Sequence, residues 1–253
     1  MSADRNALFS VAAMGVEVRG SRLLLDITFA VRAGDITALL GANGAGKSTL
    51  IAALAGEIGN HSGDIVFDDK ALKEWSLESL AGRRALNATE PAVPFALSVV
   101  DYVALGRPFD TADAAAVRAA LTETHATQWA SRDIATLSSG EQMRVQLARS
   151  LYQLGDTPHC VWLLDEPCAH LDLAQKQFVL ALMARIAKQR QWSVIFSTHD
   201  PAEALQIADQ ALLLRAGTVV ATGAATDVIN IENLSRCYGV TVNRSIAFVG
   251  TAT

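Results

Sequence analysis

A glycine-rich stretch over residues 41–49, GANGAGKST, constrains the fold of this chain more than any other feature. It fits the pattern G-x-x-x-x-G-K-[ST], in which converging backbone N–H groups surround an anion. The short apolar run before it, Ile36–Leu40, is typical of a buried parallel strand, and residues 50–55 favour a helix. Strand, glycine loop and helix in this order predict a phosphate-binding loop.

Each residue type in this loop suits one part of a nucleoside triphosphate. The residues expected to bind it are Gly41, Asn43, Gly44, Ala45, Gly46, Lys47, Ser48 and Thr49. The Lys47 ammonium is expected to reach the β- and γ-phosphates, and the Ser48 hydroxyl to face Mg²⁺. Such a loop alone does not distinguish kinases, GTPases and ATPases.

Two carboxylates follow a second short apolar run, residues 160–164. Open α/β sheets present their functional residues at the carboxyl ends of parallel strands, so Asp165 and Glu166 are expected beside the loop. Asp165 is predicted to hold Mg²⁺, and Glu166 to act on a water molecule that attacks the γ-phosphate. Two solvated acids at a strand end are the simpler alternative, but the glycine loop in the same chain disfavours it.

Two further stretches, LSSGEQ at residues 137–142 and STHD at residues 197–200, complete a pattern. Ser138 and Glu141 predict a capping box at the start of an amphipathic helix. Together with the loop and the carboxylate pair, these motifs resemble the ATP-binding-cassette (ABC) ATPases over nearly the whole chain. The resemblance implies an α/β fold: a P-loop NTPase (RecA-like) core, an N-terminal antiparallel β subdomain and an inserted α-helical subdomain.

The resemblance also implies a dimer in which two copies pack head to tail and each ATP lies between the loop of one copy and the LSSGEQ signature of the other. Ser139 and Gly140 are then expected to contact ATP bound to the partner copy. His199 matches the family's γ-phosphate-sensing histidine, which makes it a catalytic candidate with Lys47 and Glu166. The small molecules implied are ATP and Mg²⁺.

The expected organisation is a single ABC ATPase domain over residues 1–253. The nucleotide-binding core and β subdomain are expected at about residues 11–80 and 156–253, and the helical signature subdomain at about 81–155. In local detail, residues 1–10 are predicted to be a loose end. A helix is predicted over residues 112–124, with Thr111 as its cap.

The segment from residue 83 to residue 107 narrows the resemblance to the ATPases of type II bacterial importers, which move haem, ferric siderophores or vitamin B12. Residues 142–149 and 234–240 are similar to those of the haem importers. The partners implied are polytopic membrane permease subunits and, indirectly, a periplasmic substrate-binding protein. The implied location is peripheral, on the cytoplasmic face of the bacterial inner membrane. Since these stretches do not contact the transported molecule, a ferric siderophore or cobalamin remains an alternative cargo.

Several positions depart from the family's pattern. Where the family has a glutamine that contacts Mg²⁺, this chain has Ala-Thr-Glu at residues 88–90. Either Thr89 or Glu90 would have to fill that role, or no residue does, and the register favours Thr89. Arg19 lies where an aromatic residue usually stacks on adenine, and a guanidinium plane can also stack on a base. Ser139 replaces a usual glycine, and residues 168–170 read Cys-Ala-His instead of the common Thr-Ser-Ala.

Composition and motif content weigh against other classes of protein. Lys and Arg total 21 against 26 Asp and Glu, and this net charge of −5 argues against nucleic acid as a partner. The chain contains no run of about 18 apolar residues, so no membrane span is predicted. Its 3 cysteines follow no pattern, which indicates a reducing compartment and disfavours a zinc site. A soluble cassette ATPase or a P-loop kinase remains an alternative, but a kinase would not account for the signature or for His199.

Overall fold

The structure is a computed structural model, and it describes residues 7–88, 96–108 and 113–241. The strands in these ranges are β1 (Ala7–Val18), β2 (Ser21–Arg32), β3 (Ile36–Leu40), β4 (His61–Phe67), β5 (Lys70–Ala71), β6 (Arg84–Asn87), β7 (Val161–Leu164), β8 (Ser193–Thr198), β9 (Gln210–Arg215) and β10 (Thr218–Ala224). The α-helices are α1 (Lys47–Leu54), α2 (Leu77–Ala81), α3 (Val99–Ala104), α4 (Ala114–Glu123), α5 (Ser139–Leu154), α6 (Leu173–Arg190), α7 (Pro201–Ile207), α8 (Ala225–Val228) and α9 (Ile231–Tyr238). Short 3₁₀ helices cover Leu72–Glu74, Thr127–Trp129 and Ile134–Thr136.

A six-stranded sheet in the order β10-β9-β3-β8-β7-β6 forms the centre of the molecule. All neighbours pair in parallel except β10, which is antiparallel to β9. Because β3, β8 and β7 are adjacent, the loops after Leu40, Thr198 and Leu164 leave the same edge of the sheet. These loops carry the glycine loop, His199 and Asp165, so the topology brings distant motifs together.

The central strands are buried on both faces. In β7, Trp162 and Leu164 belong to a core shared with the helices, whereas Val161 and Leu163 belong to a core shared with the second sheet. Uninterrupted apolar runs of this kind are expected of parallel strands that are covered on both sides. The resulting close packing gives the loops at the carboxyl edge a rigid base.

The second sheet has four antiparallel strands in the order β2-β1-β4-β5. A turn at Gly20 joins β1 and β2 into an antiparallel hairpin, in agreement with the predicted N-terminal antiparallel β subdomain. The prediction of a loose end over residues 1–10 is wrong for residues 7–10, which belong to β1, and residues 1–6 lie outside the described residues. The physical reason is burial: Leu8 and Phe9 are 5% and 1% exposed, so this part of β1 contributes to the core.

The helical region between the two halves of the sheet begins later than the sequence predicts. Residues 84–87, which fall in the predicted helical subdomain, form β6 and pair in parallel with β7, so the helical assignment is wrong there. The residues of β6, Arg-Ala-Leu-Asn, form no apolar run like that of β7, so the sequence does not identify them as a buried strand.

Further along the same region, α4 begins at Ala114, and residue 112, the predicted start, lies outside the described residues. Its cap is Asp113, whose side chain accepts hydrogen bonds from the N–H groups of Ala115 and Ala116. The predicted cap, Thr111, lies outside the described residues. A carboxylate suits the N-cap position at least as well as a hydroxyl does.

Candidate functional site

The glycine loop connects the end of β3 to the start of α1, as the sequence predicts. Helix α1 begins at Lys47, with Gly46 as its N-cap and no side-chain cap. Backbone N–H groups in a first helical turn have no acceptor within the helix, so they are available to bind an anion. Gly44 and Gly46 have φ angles of 75° and 105°, and a Cβ on Gly46 would lie 2.7 Å from a methyl carbon of Leu24. Glycine is therefore required at residue 46.

The other loop residues are divided between the lining of the site and its support. A cavity of about 610 Å³ lies beside the loop, within the size range of small-molecule sites. The loop residues that line this cavity are Asn43, Gly44, Gly46, Lys47, Ser48 and Thr49. Gly41 and Ala45 are buried, and a Cβ on Gly41 would lie 2.4 Å from the carbonyl oxygen of Leu214. These two residues therefore support the loop from behind.

Lys47 joins the loop to the carboxylate pair. Its side chain is 5% exposed, and Nζ donates hydrogen bonds to the carbonyl oxygens of Gly41 at 2.8 Å and of Ala42 at 3.3 Å. The same Nζ lies 3.6 Å from Oε1 of Glu166. A buried ammonium needs such partners, because its desolvation is otherwise very unfavourable. The arrangement places a positive charge and a carboxylate at the edge of one cavity.

Asp165 and Glu166 follow β7 directly and are tied to β8 by Ser197. The Ser197 hydroxyl donates to Oδ1 of Asp165 at 2.5 Å and accepts from the backbone N–H of Glu166 at 2.8 Å. Ser197 is fully buried, and Asp165 is 9% exposed. Because this hydroxyl acts as donor and acceptor at once, it fixes both acidic residues relative to the neighbouring strand.

Glu166 has an unusual backbone conformation. Its φ angle of 49° lies in the left-handed region. Such a conformation costs a non-glycine residue on the order of 1–3 kcal/mol and persists only where the surroundings hold it. The Ser197 bond and the nearby Lys47 ammonium hold Glu166, while its side chain stays 26% exposed. The carboxylate can therefore meet a water molecule, as a general base must.

His199 lies at the end of β8 and faces a second cavity of about 290 Å³. Asn43 and Glu166 line this cavity as well as the cavity beside the loop, so the two spaces meet at these residues. Of the predicted catalytic residues, Lys47 and Glu166 are in contact and His199 shares a cavity with Glu166.

The backbone next to His199 is held by a buried polar network. Thr198 Oγ1 donates to Glu203 at 2.6 Å and accepts from the N–H of Asp200 at 3.0 Å. Lys176 Nζ donates to the other oxygen of Glu203 at 2.9 Å. This hydrogen bond with Glu203 raises the pKa of Lys176. The network joins α6, α7 and β8, and it orders the loop that carries His199.

The signature residues lie elsewhere in the chain. Helix α5 begins at Ser139 and has the predicted capping box, in which Ser138 N–H donates to Glu141 at 2.8 Å. This bond lowers the pKa of Glu141. Ser139 is exposed, and Gly140 is packed against the side chain of Gln175. Within the described part of the chain, the residues lining the two cavities include neither Ser139 nor Gly140.

Arg19 and Thr89 are the two remaining predicted positions. Arg19, the candidate for stacking on adenine, lines a neighbouring cavity, whereas Arg22 lines the cavity beside the loop. The stacking assignment of Arg19 stays a prediction, and Arg22 becomes a second candidate. Thr89 lies outside the described residues, so its assignment to Mg²⁺ also stays a prediction.

Sequence reasoning missed the parts played by Ser197 and Glu203. Ser197 belongs to the STHD stretch, yet only the adjacency of β7 and β8 shows that its hydroxyl reaches Asp165. A serine directly after the apolar run at residues 194–196 and two residues before a histidine is a signal that could have identified it. The glutamate at residue 203 was visible only as a first-turn acid in α7.

Comparison with known proteins adds an independent finding. Residues 24–169 match the family model described as ABC transporter. The hemin import ATP-binding protein HmuV of Rhodococcus jostii is 38% identical over 238 residues, which cover 91% of this chain and 80% of the relative. HmuV of Bordetella pertussis is 38% identical over 232 residues, which cover 87% of this chain and 88% of the relative.

Solved structures agree with these relatives. An inward-facing conformation of a metal-chelate type ABC transporter has a TM-score of 0.77 and 29% identity, covering 92% of this chain and 88% of the other. CbiO1 of Clostridium perfringens, part of the ABC transporter complex cbiONQ, has a TM-score of 0.77 and 26% identity, covering 92% and 94%. These neighbours confirm the predicted fold class. In the described ranges, no helix combines the length and apolar character needed to cross a bilayer.

Proposed function

Because this chain belongs to the ABC transporter family, we propose that it powers the import of haem through a membrane permease. As a member of that family it binds ATP, and its ATP hydrolysis is coupled to transport. The similarity to hemin import proteins over most of the chain is the observation that carries the haem assignment. The metal-chelate type of the structural neighbour supports the same class of cargo and also keeps a ferric siderophore or cobalamin as the alternative.

In the proposed mechanism, the glycine loop holds the triphosphate of ATP. The uncapped first turn of α1 offers its N–H groups to the phosphate oxygens, and Lys47 supplies a positive charge. In this structure the same Nζ contacts the Gly41 carbonyl and Glu166, so a phosphate would meet an ammonium whose position is already fixed. Preorganisation of this kind lowers the ordering cost of binding.

The residues present also suit Mg²⁺. The Ser48 hydroxyl lines the cavity beside the loop, and the Asp165 carboxylate lies next to Glu166. Both are oxygen donors, the type that Mg²⁺ prefers. Bound there, Mg²⁺ would neutralise negative charge on the phosphates. Thr89 is proposed as a further ligand from its register alone.

Glu166 is the proposed general base, and His199 the proposed contact to the γ-phosphate. The Glu166 carboxylate is exposed enough to accept a proton from water, and Ser197 and Lys47 fix where it lies. His199 shares the second cavity with Glu166, so both can act on the same end of the triphosphate.

A second copy of the chain is proposed to complete the site. Ser139 and Gly140 lie at the start of α5, away from the cavities of their own chain. Head-to-tail packing of two copies would bring them to the ATP of the partner. Membrane permease subunits follow from the family, and a periplasmic binding protein and a peripheral position on the cytoplasmic face of the bacterial inner membrane are part of the proposal.

Transport in liposomes tests the cargo. The chain is reconstituted with its permease and binding protein, and uptake of hemin, a ferric siderophore and cobalamin is measured with ATP. We expect ATP-dependent accumulation of hemin, which the Glu166→Gln variant abolishes. Accumulation of either other chelate without hemin would contradict the haem assignment in favour of the alternative cargo. ATP hydrolysis without accumulation of any of the three would contradict all of these cargoes.

A further inference from the structure

The last described helix, α9, ends beside the candidate site, and its final residue contacts the His199 loop. The Tyr238 hydroxyl donates a hydrogen bond to the backbone carbonyl of His199 at 3.0 Å. The backbone of Gly41, where the glycine loop begins, lies close enough to this hydroxyl to affect its pKa. One hydroxyl therefore binds the loop that leaves β8 beside the start of the loop that leaves β3.

The tyrosine is firmly placed for this contact. Helix α9 is capped by Asn230, and Leu234 and Cys237 on it are buried in the core. Arg215, at the end of β9, donates to the carbonyl of Arg236 at 2.7 Å. The end of α9 is therefore attached to the six-stranded sheet on the same side as the glycine loop.

The residue before Tyr238 is fixed as well, and the Tyr238 phenol is protonated at neutral pH. The Cys237 thiol donates to the carbonyl of Leu214 at 3.3 Å, which fixes the residue before Tyr238. Burial raises the pKa of Tyr238, so the phenol stays protonated at neutral pH and can donate to His199.

The position of the His199 backbone decides where its imidazole points. The ring itself is exposed, and no described contact of its own fixes the ring from the cavity side. A bond to the carbonyl of residue 199 fixes the peptide plane from which the side chain departs. We propose that Tyr238 is a positioning residue that holds the His199 loop in place beside the glycine loop. The proposal rests on the function assigned to His199 above, and it adds a residue outside the motifs.

Removal of the hydroxyl tests the proposal. In Tyr238→Phe the ring remains and the hydrogen bond to the His199 carbonyl is lost, so we expect kcat for ATP hydrolysis to fall about three- to tenfold, as the loss of one neutral hydrogen bond implies. The KM for ATP should stay close to that of the parent, because the loop residues that bind phosphate are unchanged. Tyr152→Phe is the matched control: that hydroxyl accepts from Asp113 N–H in the helical region, and its loss should leave kcat unchanged.

A double-mutant cycle separates positioning from general support. In the His199→Ala background, Tyr238→Phe should change kcat by less than about 1.5-fold, because two mutations acting through one group are not additive. Independent, multiplicative losses would overturn the proposal. So would a parent-like kcat for Tyr238→Phe, or a loss of kcat that follows a lowered thermal midpoint and is also seen in Tyr152→Phe. These assays measure ATP hydrolysis alone. Their result can therefore be interpreted even if the liposome assay contradicts the haem assignment.

Discussion

The carboxyl edge of the six-stranded sheet and the start of α5 differ in how completely their candidate site residues are held by contacts within the chain. At the sheet edge, Lys47 lies 3.6 Å from Glu166, whose N–H donates to a buried serine hydroxyl at 2.8 Å. At the start of α5, Ser139 is exposed and Gly140 packs against Gln175. Buried polar groups must find their partners when the chain folds, whereas an exposed helix end need not. The difference fits the proposal that phosphate is bound within one chain and that the signature acts on a second copy.

The largest effect is expected from Glu166→Gln, which should remove ATP hydrolysis and leave ATP binding intact. Glu166→Gln keeps the size of the side chain but removes the proton acceptor, so kcat should fall about 10²–10⁴-fold. ATP affinity should remain near that of the parent. Phosphate release and equilibrium ATP binding measure the two quantities. Glu74→Gln, at an exposed position in a 3₁₀ helix, is the control. Hydrolysis by Glu166→Gln at the parent rate would show that the base is another group.

A smaller effect is expected when Lys47, the phosphate-binding residue at the same edge of the sheet, is replaced. Lys47→Ala loses a charge-assisted contact to phosphate, so the dissociation constant for ATP should rise about 10- to 100-fold. Calorimetric titration with a non-hydrolysable analogue measures it. Lys73→Ala, at an exposed position, should bind as the parent does. Equal affinities for Lys47→Ala and the parent would contradict the assignment of this edge to phosphate.

Ser197 sharpens the comparison, since it is a buried residue with no expected contact to ATP. Ser197→Ala removes the bonds to Asp165 and to the Glu166 N–H, and kcat should fall on the order of tenfold. Ser193→Ala is a matched control at the other end of β8, where the hydroxyl donates to the carbonyl of Arg32 at 2.7 Å. Similar kcat losses in both variants would mean that Ser197 supports the fold and does not position the carboxylates.

The smallest effect concerns the rim of the same site. Arg22→Ala should weaken ATP binding about two- to fivefold if the guanidinium stacks on adenine, and Arg19→Ala should have less effect. The reason is that Arg22, not Arg19, lines the cavity beside the glycine loop. Competition between ATP and an adenine-free triphosphate measures the preference. A larger loss of ATP affinity in Arg19→Ala than in Arg22→Ala would show that Arg19 is the residue that stacks on adenine.

Sequence alone was sufficient where backbone chemistry dictates residue type. The glycine loop needs left-handed glycines and an uncapped helix start, and both can be read from the letters of residues 41–49. The meeting of Lys47 and Glu166 followed from the rule that parallel strands present functional residues at their carboxyl ends.

Other features depend on contacts between segments far apart in sequence. Ser197 reaches Asp165 because β7 and β8 are neighbours in the sheet. The sequence of neither strand predicts that order. Tyr238 reaches His199 across 39 positions for the same reason. The strand β6 was missed because Arg84–Asn87 contains no apolar run, and the pairing with β7 decides its conformation.

Sedimentation of the Glu166→Gln variant, with and without ATP and Mg²⁺, tests most directly whether the pocket is shared between two copies. We expect a monomer without nucleotide and a dimer with it. Adding Ser139→Arg should return the protein to a monomer that still binds ATP, because the exposed start of α5 is where the second copy is expected to meet the nucleotide. A Glu166→Gln protein that binds ATP and remains a monomer would contradict the shared pocket, and so would a dimer that Ser139→Arg leaves unchanged.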